Sequence, residues 1–329
     1  MMCVLRSTLL IFAIALGCYI RTHAQSPGFA NETQAEAGSI MQALGANMSA
    51  LECFDMSVTE ETSHVAPEDD SGIDFVNRWR YVCNFREGVH LVIASHRMHR
   101  FSLTSDTEKR ERFFRGVFVD KSKREAWLLI TGPPGQIDLR SKDADSFDRW
   151  ALQASGFPEP RLIGLAPYPH GFGAQVSLEE VFRNSFAPPF RVSASGTGVK
   201  DRMEIARIKD MGTEAPALAW RYLMDMERFV PLQLAFEFVR KDGEVARKAT
   251  ENLTWSDQDG MMVPQEIHGV RHLSPRRDSK QPILEHYDAV LTWHSVNNPD
   301  ALPEVDKTIL SSTTELMRLL KEANDVPDR

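Results

Sequence analysis

The chain has 329 residues and a formal net charge of −8. That acidity, with no long basic run, excludes tracking of a phosphate backbone, so nucleic acid is not an expected partner. The length allows a sizeable core without a disulfide scaffold.

The first 24 residues read as an export signal. Arg6 starts it, Leu9 to Ile20 is almost wholly apolar, and Thr22-His23-Ala24 offers small residues before Gln25. The apolar run is too short to cross a bilayer core of about 30 Å as a helix. Cleavage near Ala24 leaves one domain, residues 25–329, in the periplasm or outside the cell. Ala15-Leu16-Gly17-Cys18 is an imperfect lipobox, so lipid anchoring at Cys18 is the lesser alternative. Asn31, Asn47 and Asn252 begin N-x-S/T sequons, which matter only in a eukaryotic secretory route.

Asn31 to Met48 predicts an amphipathic helix, with Ala37, Ile40, Met41, Leu44 and Met48 on one face. The period then changes from 3.6 to 2. Glu52 to Thr59 alternates, with Phe54, Met56 and Val58 facing one way and Cys53 the other. In Asp74 to Arg86, Phe75, Trp79, Tyr81, Cys83 and Phe85 share a face, and Arg78, Arg80 and Arg86 line the opposite, wet one. If these strands are neighbours, Cys53 and Cys83 point apart. Export favours a disulfide between them and the pleat opposes it, so both alternatives stand.

A strand from Val89 to Ser95 and a hairpin of Phe113 to Val119 with Ala126 to Thr131 follow. Residues 133–189 hold eight of the 18 prolines and predict a surface-wrapping insertion with short helices near Phe147 to Ala154 and Ser177 to Asn184. The alternation resumes at Arg191, Arg202 and Leu218. It continues through Leu232, Leu234, Phe236 and Phe238, and turns at Asp242-Gly243 and Asp259-Gly260. Pro264 marks an edge or a bulge in the strand from Met261 to Val270. Ile283 to Val296 is the last strand, with Tyr287, Ala289, Leu291 and Trp293 on one face. A helix opened by Pro303 carries Ile309, Thr313, Leu316 and Leu320. About ten strands joined as hairpins, with a helix at each end, predict an α+β fold. It is a long curved antiparallel β-meander, a half-barrel covered by N- and C-terminal helices.

Met224-Asp225-Met226-Glu227-Arg228-Phe229-Val230-Pro231-Leu232 precedes one strand, and Trp255-Ser256-Asp257-Gln258-Asp259-Gly260-Met261-Met262-Val263-Pro264 joins two more. This series resembles the bacterial lipoprotein-carrier (Lol-type) superfamily, especially its long, uncharacterised exported relatives. The specific part covers about residues 217–296. The resemblance implies a half-barrel enclosing a helix, with a cavity for an acyl chain or another hydrophobe. No functional residue transfers, because the arginine that carriers use near the cavity mouth has no clear counterpart.

No nucleophile elbow, zincin helix, phosphate loop or calcium loop occurs. His96 and His99 fall three apart at a strand end, where they face opposite sides. His268 and His272, with His286 or His294, do not specify a zinc geometry. Absent motifs do not exclude an enzyme, but the large apolar residues on single strand faces and the resemblance favour a non-enzymatic protein without cofactor or metal. Its expected partner is a hydrophobic small molecule or acyl chain, and a membrane-associated protein is a second partner class. Trp79, Tyr81, Phe236 and Trp293 are the expected cavity residues. Tyr168, His170 and Phe172, in Pro167-Tyr168-Pro169-His170-Gly171-Phe172-Gly173, are the expected lid, gating the cavity with the first helix. Two alternatives are an interaction module whose own helices fill the half-barrel, and a hydrolase in which His170, His268 or His286 meets a carboxylate in a cleft.

Overall fold

A computed structural model describes residues 30–66, 69–102, 105–132, 136–143, 160–165, 190–199, 201–209, 217–239, 245–273 and 283–322. Helix α1 (Ala30–Ser49) comes first. Strands β1 (Cys53–Ala66), β2 (Asp69–Asn84), β3 (Val89–Ser102), β4 (Ser105–Asp120), β5 (Glu125–Gly132) and β6 (Gln136–Asp143) follow. A short 3-10 turn, Pro160–Leu162, precedes β7 (Phe190–Gly196), β8 (Arg202–Lys209), β9 (Ala217–Asp225) and β10 (Val230–Val239). Strands β11 (Val245–Gln258), β12 (Met261–Leu273) and β13 (Ile283–Val296) lead to helix α2 (Thr313–Glu322).

The thirteen strands of the described residues form one antiparallel sheet, in the order β6-β5-β4-β3-β2-β1-β13-β12-β11-β10-β9-β8-β7. Every pair is consecutive in the chain except β1 with β13. The fold is the expected α+β half-barrel. A flat sheet would set β2 and β9 about 29 Å apart, six spacings at roughly 4.8 Å. Yet the Arg161 guanidinium lies 3.7 Å from the Phe85 ring beside β2, while Tyr222 on β9 donates to the Leu165 carbonyl at 3.0 Å. Arg161 to Leu165 is only five residues in tight turns, on the order of 10 Å, so the sheet curls around them.

The pleat separates two cores. On the inner face, Phe54, Met56, Val58, Trp79, Tyr81, Leu253, Ile267 and Leu291 join the α1 stripe. Ala37, Ile40, Met41, Leu44 and Met48 are all at most 1% exposed, as the 3.6-residue period predicts. On the outer face, Val82, Leu91, Ile93, Phe114, Phe118 and Leu129 pack under Leu310, Leu316, Leu319 and Leu320. Both terminal helices cover the sheet, but on opposite faces. Leu310 reaches the strands because Gly116 beneath it has no Cβ; one added there would stand 2.6 Å from a Leu310 methyl carbon.

The ends of α1, β1 and β13 are tied by Asn297, which adopts a left-handed φ of 52°. Its side-chain oxygen accepts from the backbone N–H groups of Glu52 and Cys53, and its amide donates to Ala50 O. Asparagine tolerates this conformation better than most side chains and supplies both a donor and an acceptor.

Several expectations change. Strand β6 lies inside the region expected to be a surface-wrapping insertion, and Gly132 pairs with Gln136. Pro160, Ile163 and Leu165 of that region are buried against the inner face. His96 and His99 fall within β3, not at its end. The last helix starts at Thr313, not Pro303, because Ser312 stops a separate 3-10 turn and accepts from Glu315 N. Arg80 is not on a wet surface: it is buried on the outer face and pairs with buried Asp55 at 2.6 Å. Of the two alternatives for Cys53 and Cys83, the structure has the unbonded one. Both are buried free thiols, because β1 and β2 pair with Phe54 opposite Cys83, which sends Cys53 to the other face. Pro264 sits at a bulge opposite Trp255, in an interior strand.

Candidate functional site

The inner face of β8 to β13 carries two aligned rows, set by strand register. One runs Arg207, Trp220, Phe236, Ala249, Arg271, Glu285 across six neighbouring strands. The next runs Ile205, Tyr222, Leu234, Glu251, Gly269, Tyr287. Alternation with period 2 gives each residue its face.

In the first row, the Arg207 guanidinium stacks 4.0 Å from the Trp220 ring. Trp220 meets Phe236 at 5.4 Å and 56°. Both rings are half-buried, while Arg207 is buried. Burial lowers the Arg207 pKa, partly opposed by Tyr222. At the far end Arg271 forms an ion pair with Glu285 and lies 4.4 Å over the Tyr287 ring.

In the second row, Tyr287 lies across Gly269. A Cβ on Gly269 would sit 2.0 Å from the Tyr287 ring carbon Cζ, so only glycine admits the ring. The Tyr287 hydroxyl thereby reaches Glu251, wholly buried, and donates to its carboxylate at 2.6 Å. Burial, then the Glu251 charge and this hydrogen bond, raise the Tyr287 pKa far above its ordinary value, so the phenol stays a donor. Beside it on β1, Glu60 accepts from Thr62 at 3.0 Å and from Asn77 at 2.7 Å. The inner face thus has an apolar end under α1 and a polar end with paired charges.

Trp79, Tyr81, Phe236 and Trp293 share this inner face. Trp79 and Tyr81 are each 3% exposed and belong to the packed core. Trp293 is half-buried, meets Phe54 edge-on at 5.5 Å, and donates its indole N–H to Pro264 O at 2.7 Å. Phe236 stands in the first row. Tyr168, His170 and Phe172 lie outside the described residues.

Sequence reasoning missed Arg207, Glu251 and Arg271. Glu251 falls in phase with Ala249, Leu253 and Trp255, and that phase was the available signal. Among the described residues, the histidines do not assemble in a cleft. His268 meets Asp288 at 2.6 Å on the outer face, where His268 is about half exposed. His294 contacts the Ser57 hydroxyl at 3.1 Å, but Ser57 is 1% exposed and is a packed group rather than an accessible nucleophile. Among the described residues, no set of three or more His, Cys, Asp or Glu side chains is arranged to hold a metal.

No known sequence family matches this chain, and no curated protein does. Its fold is similar to solved structures. One is a domain described as an outer membrane lipoprotein-sorting protein from Vibrio parahaemolyticus, at 8% identity and TM-score 0.41, covering 86% of this chain and 99% of that one. Another is a LolA superfamily protein from Nitrosomonas europaea, at 11% identity and TM-score 0.33, covering 82% and 97%. A third is a DUF1329 family protein from Desulfovibrio piger, at 9% identity and TM-score 0.34, covering 82% and 96%. No residue role is carried from them.

Proposed function

We propose that this chain is a non-enzymatic protein, exported after loss of residues 1–24, that holds a hydrophobic, lipid-like ligand against the inner face of its half-barrel. The observation that supports this is the half-buried Trp220–Phe236 pair. It stands on the same face as α1 and is not sealed as completely as the α1 stripe. Apolar area there is available to a ligand at roughly 25 cal/mol per Å² removed from water. The neighbouring polar row would orient the ligand.

A second reading has one observation in its favour. Residues Ile40, Met41, Leu44 and Met48 of α1 are buried within the half-barrel, as in a protein whose own helix fills it and whose outer surface binds a partner. Mass spectrometry of organic extracts from the protein, purified gently from its native source, separates the two. A stoichiometric hydrophobe supports the binder and identifies its cargo. A clean, folded, ligand-free protein overturns constitutive binding and favours the interaction module.

A further inference from the structure

We propose that His294 makes the ladder between β1 and β13 acid-sensitive: a proton on its ring sets a second cation beside Arg80, where Asp55 is already paired, and loosens the two strands. No hairpin turn ties these strands together. Their register builds the group. Asp55 lies opposite Ser295 and Met56 opposite Trp293, so His294 is an extra residue on β13 at this point. A bulge of this kind re-aims a side chain and takes the extra residue out of the ladder. The His294 ring instead bridges the two strands, with Nε2 at 3.1 Å from Ser57 Oγ. Asp55 and Ser57 share the outer face of β1 and are 4% and 1% exposed. On β2, Arg80 stands opposite Ser57 and reaches the Asp55 carboxylate at 2.6 Å.

While the imidazole is neutral, Arg80 and Asp55 balance one another. His294 keeps an exposed edge, so solvent protons reach it. Its partial burial disfavours a charge, Arg80 adds to that and Asp55 opposes it, and together they hold the ring below its ordinary 6.5. On the β12 side, Glu266 stands farther along, opposite Val290, and faces His268. A buried charge needs a partner of its own. The protonated group would hold two cations against the Asp55 carboxylate, and parting β1 from β13 takes His294 away from Arg80 into water. The sign follows. Between 6.5 and the lowered value, the parted strands bind a proton that the joined strands do not. The joined form is therefore fully favoured above 6.5, loses ground as pH falls through that window, and loses no more below it.

Cys53 reports on the ladder. It is a buried free thiol on β1, and its backbone N–H and C=O both bond Asn297 at the end of β13. Labelling of that thiol therefore follows the parting of β1 from β13. The test labels the full mature chain with N-ethylmaleimide and reads the Cys53 peptide by mass spectrometry. Each rate is divided by that of the urea-unfolded chain at the same pH, which removes the thiol's own pH dependence. The ratio should rise several-fold between about pH 7.5 and about pH 5, the range in which histidine takes up its proton. His294→Gln should keep the ratio low and flat. His294→Phe, an uncharged ring, makes the same comparison if the first variant folds poorly. His268→Gln, at a half-exposed site on the outer face, should keep the acid response. A ratio that stays level in acid overturns the proposal, and so does one that falls, which would mean that the protonated ring pairs with Asp55 and tightens the ladder. An acid response that persists in a folded His294 variant overturns the assignment to His294.

Discussion

Tyr287, Gly269 and Glu251 act as one unit, because the phenol reaches the buried carboxylate only by lying where a Cβ would be. Tyr287→Phe removes this hydrogen bond to the buried carboxylate and should cost about 1–3 kcal/mol in urea unfolding. Gly269→Ala displaces the ring and should cost a similar amount. Since both changes lose the same hydrogen bond, the double variant should fall clearly short of the sum. His268 offers a milder test on the outer face. The hydrogen bond to Asp288 raises its pKa above the ordinary 6.5, against a smaller opposing effect of burial. The stability it contributes is therefore fully present below pH 6.5 and is lost as pH rises through the raised value. Asp288→Asn should return the His268 titration, followed by NMR, toward 6.5.

At the scale of elements, the β4–β5 hairpin is held by Asp120, whose carboxylate accepts from Ser122 Oγ at 2.6 Å and Lys123 N at 3.2 Å. Burial alone would raise its pKa, but Lys123 and Ser122 outweigh it and hold the carboxyl at about 2. The resulting stability is complete above the ordinary value of 3.8 and is lost as pH falls through about 2. Asp120→Asn should unfold less steeply between pH 4 and 2 than the parent, measured by acid titration of the β-sheet circular dichroism. Hairpins of this kind are readable from sequence, and so is the turn at Asp259-Gly260, where both residues adopt left-handed φ. The α1 stripe was equally clear, because five apolar residues kept one helical period. Strand β6 was hidden by the prolines on either side of it, although Ile137 and Leu139 alternate. The charges of the candidate site were hidden for a different reason. Periodicity assigns a face to Arg207 or Glu251, but only the register of neighbouring strands brings Arg207 to Trp220 and Glu251 to Tyr287.

At the scale of the molecule, the sheet divides the protein into two apolar layers that do not share side chains. Leu44 on α1 belongs to the inner layer and Leu310 to the outer one. Leu44→Ala and Leu310→Ala should each cost about 2–5 kcal/mol. Their effects should add to within roughly 0.5 kcal/mol, since the sheet keeps them out of contact. Chemical denaturation of the two single variants and the double variant checks this. Loss of Leu310 should also raise binding of a dye specific for exposed apolar surface, because Ile93 and Leu129 lie beside Gly116 beneath it.

The pairing of β1 with β13 has a kinetic consequence. Read from edge to edge, the strands run β7 to β13 and then β1 to β6, which is chain order cut at a single connection. All but one of the ladders therefore zip from nearby turns. The exception joins residues such as Cys53 and Asn297, 244 positions apart. Closing so long a loop costs about 3 kcal/mol more entropy than closing one of ten residues. Two half-sheets can thus assemble early and independently, and the seam between them, in the middle of the sheet, closes last. The step that completes the half-barrel is also the one that encloses α1, so any cargo trapped with the helix must enter before the seam shuts or wait for it to reopen.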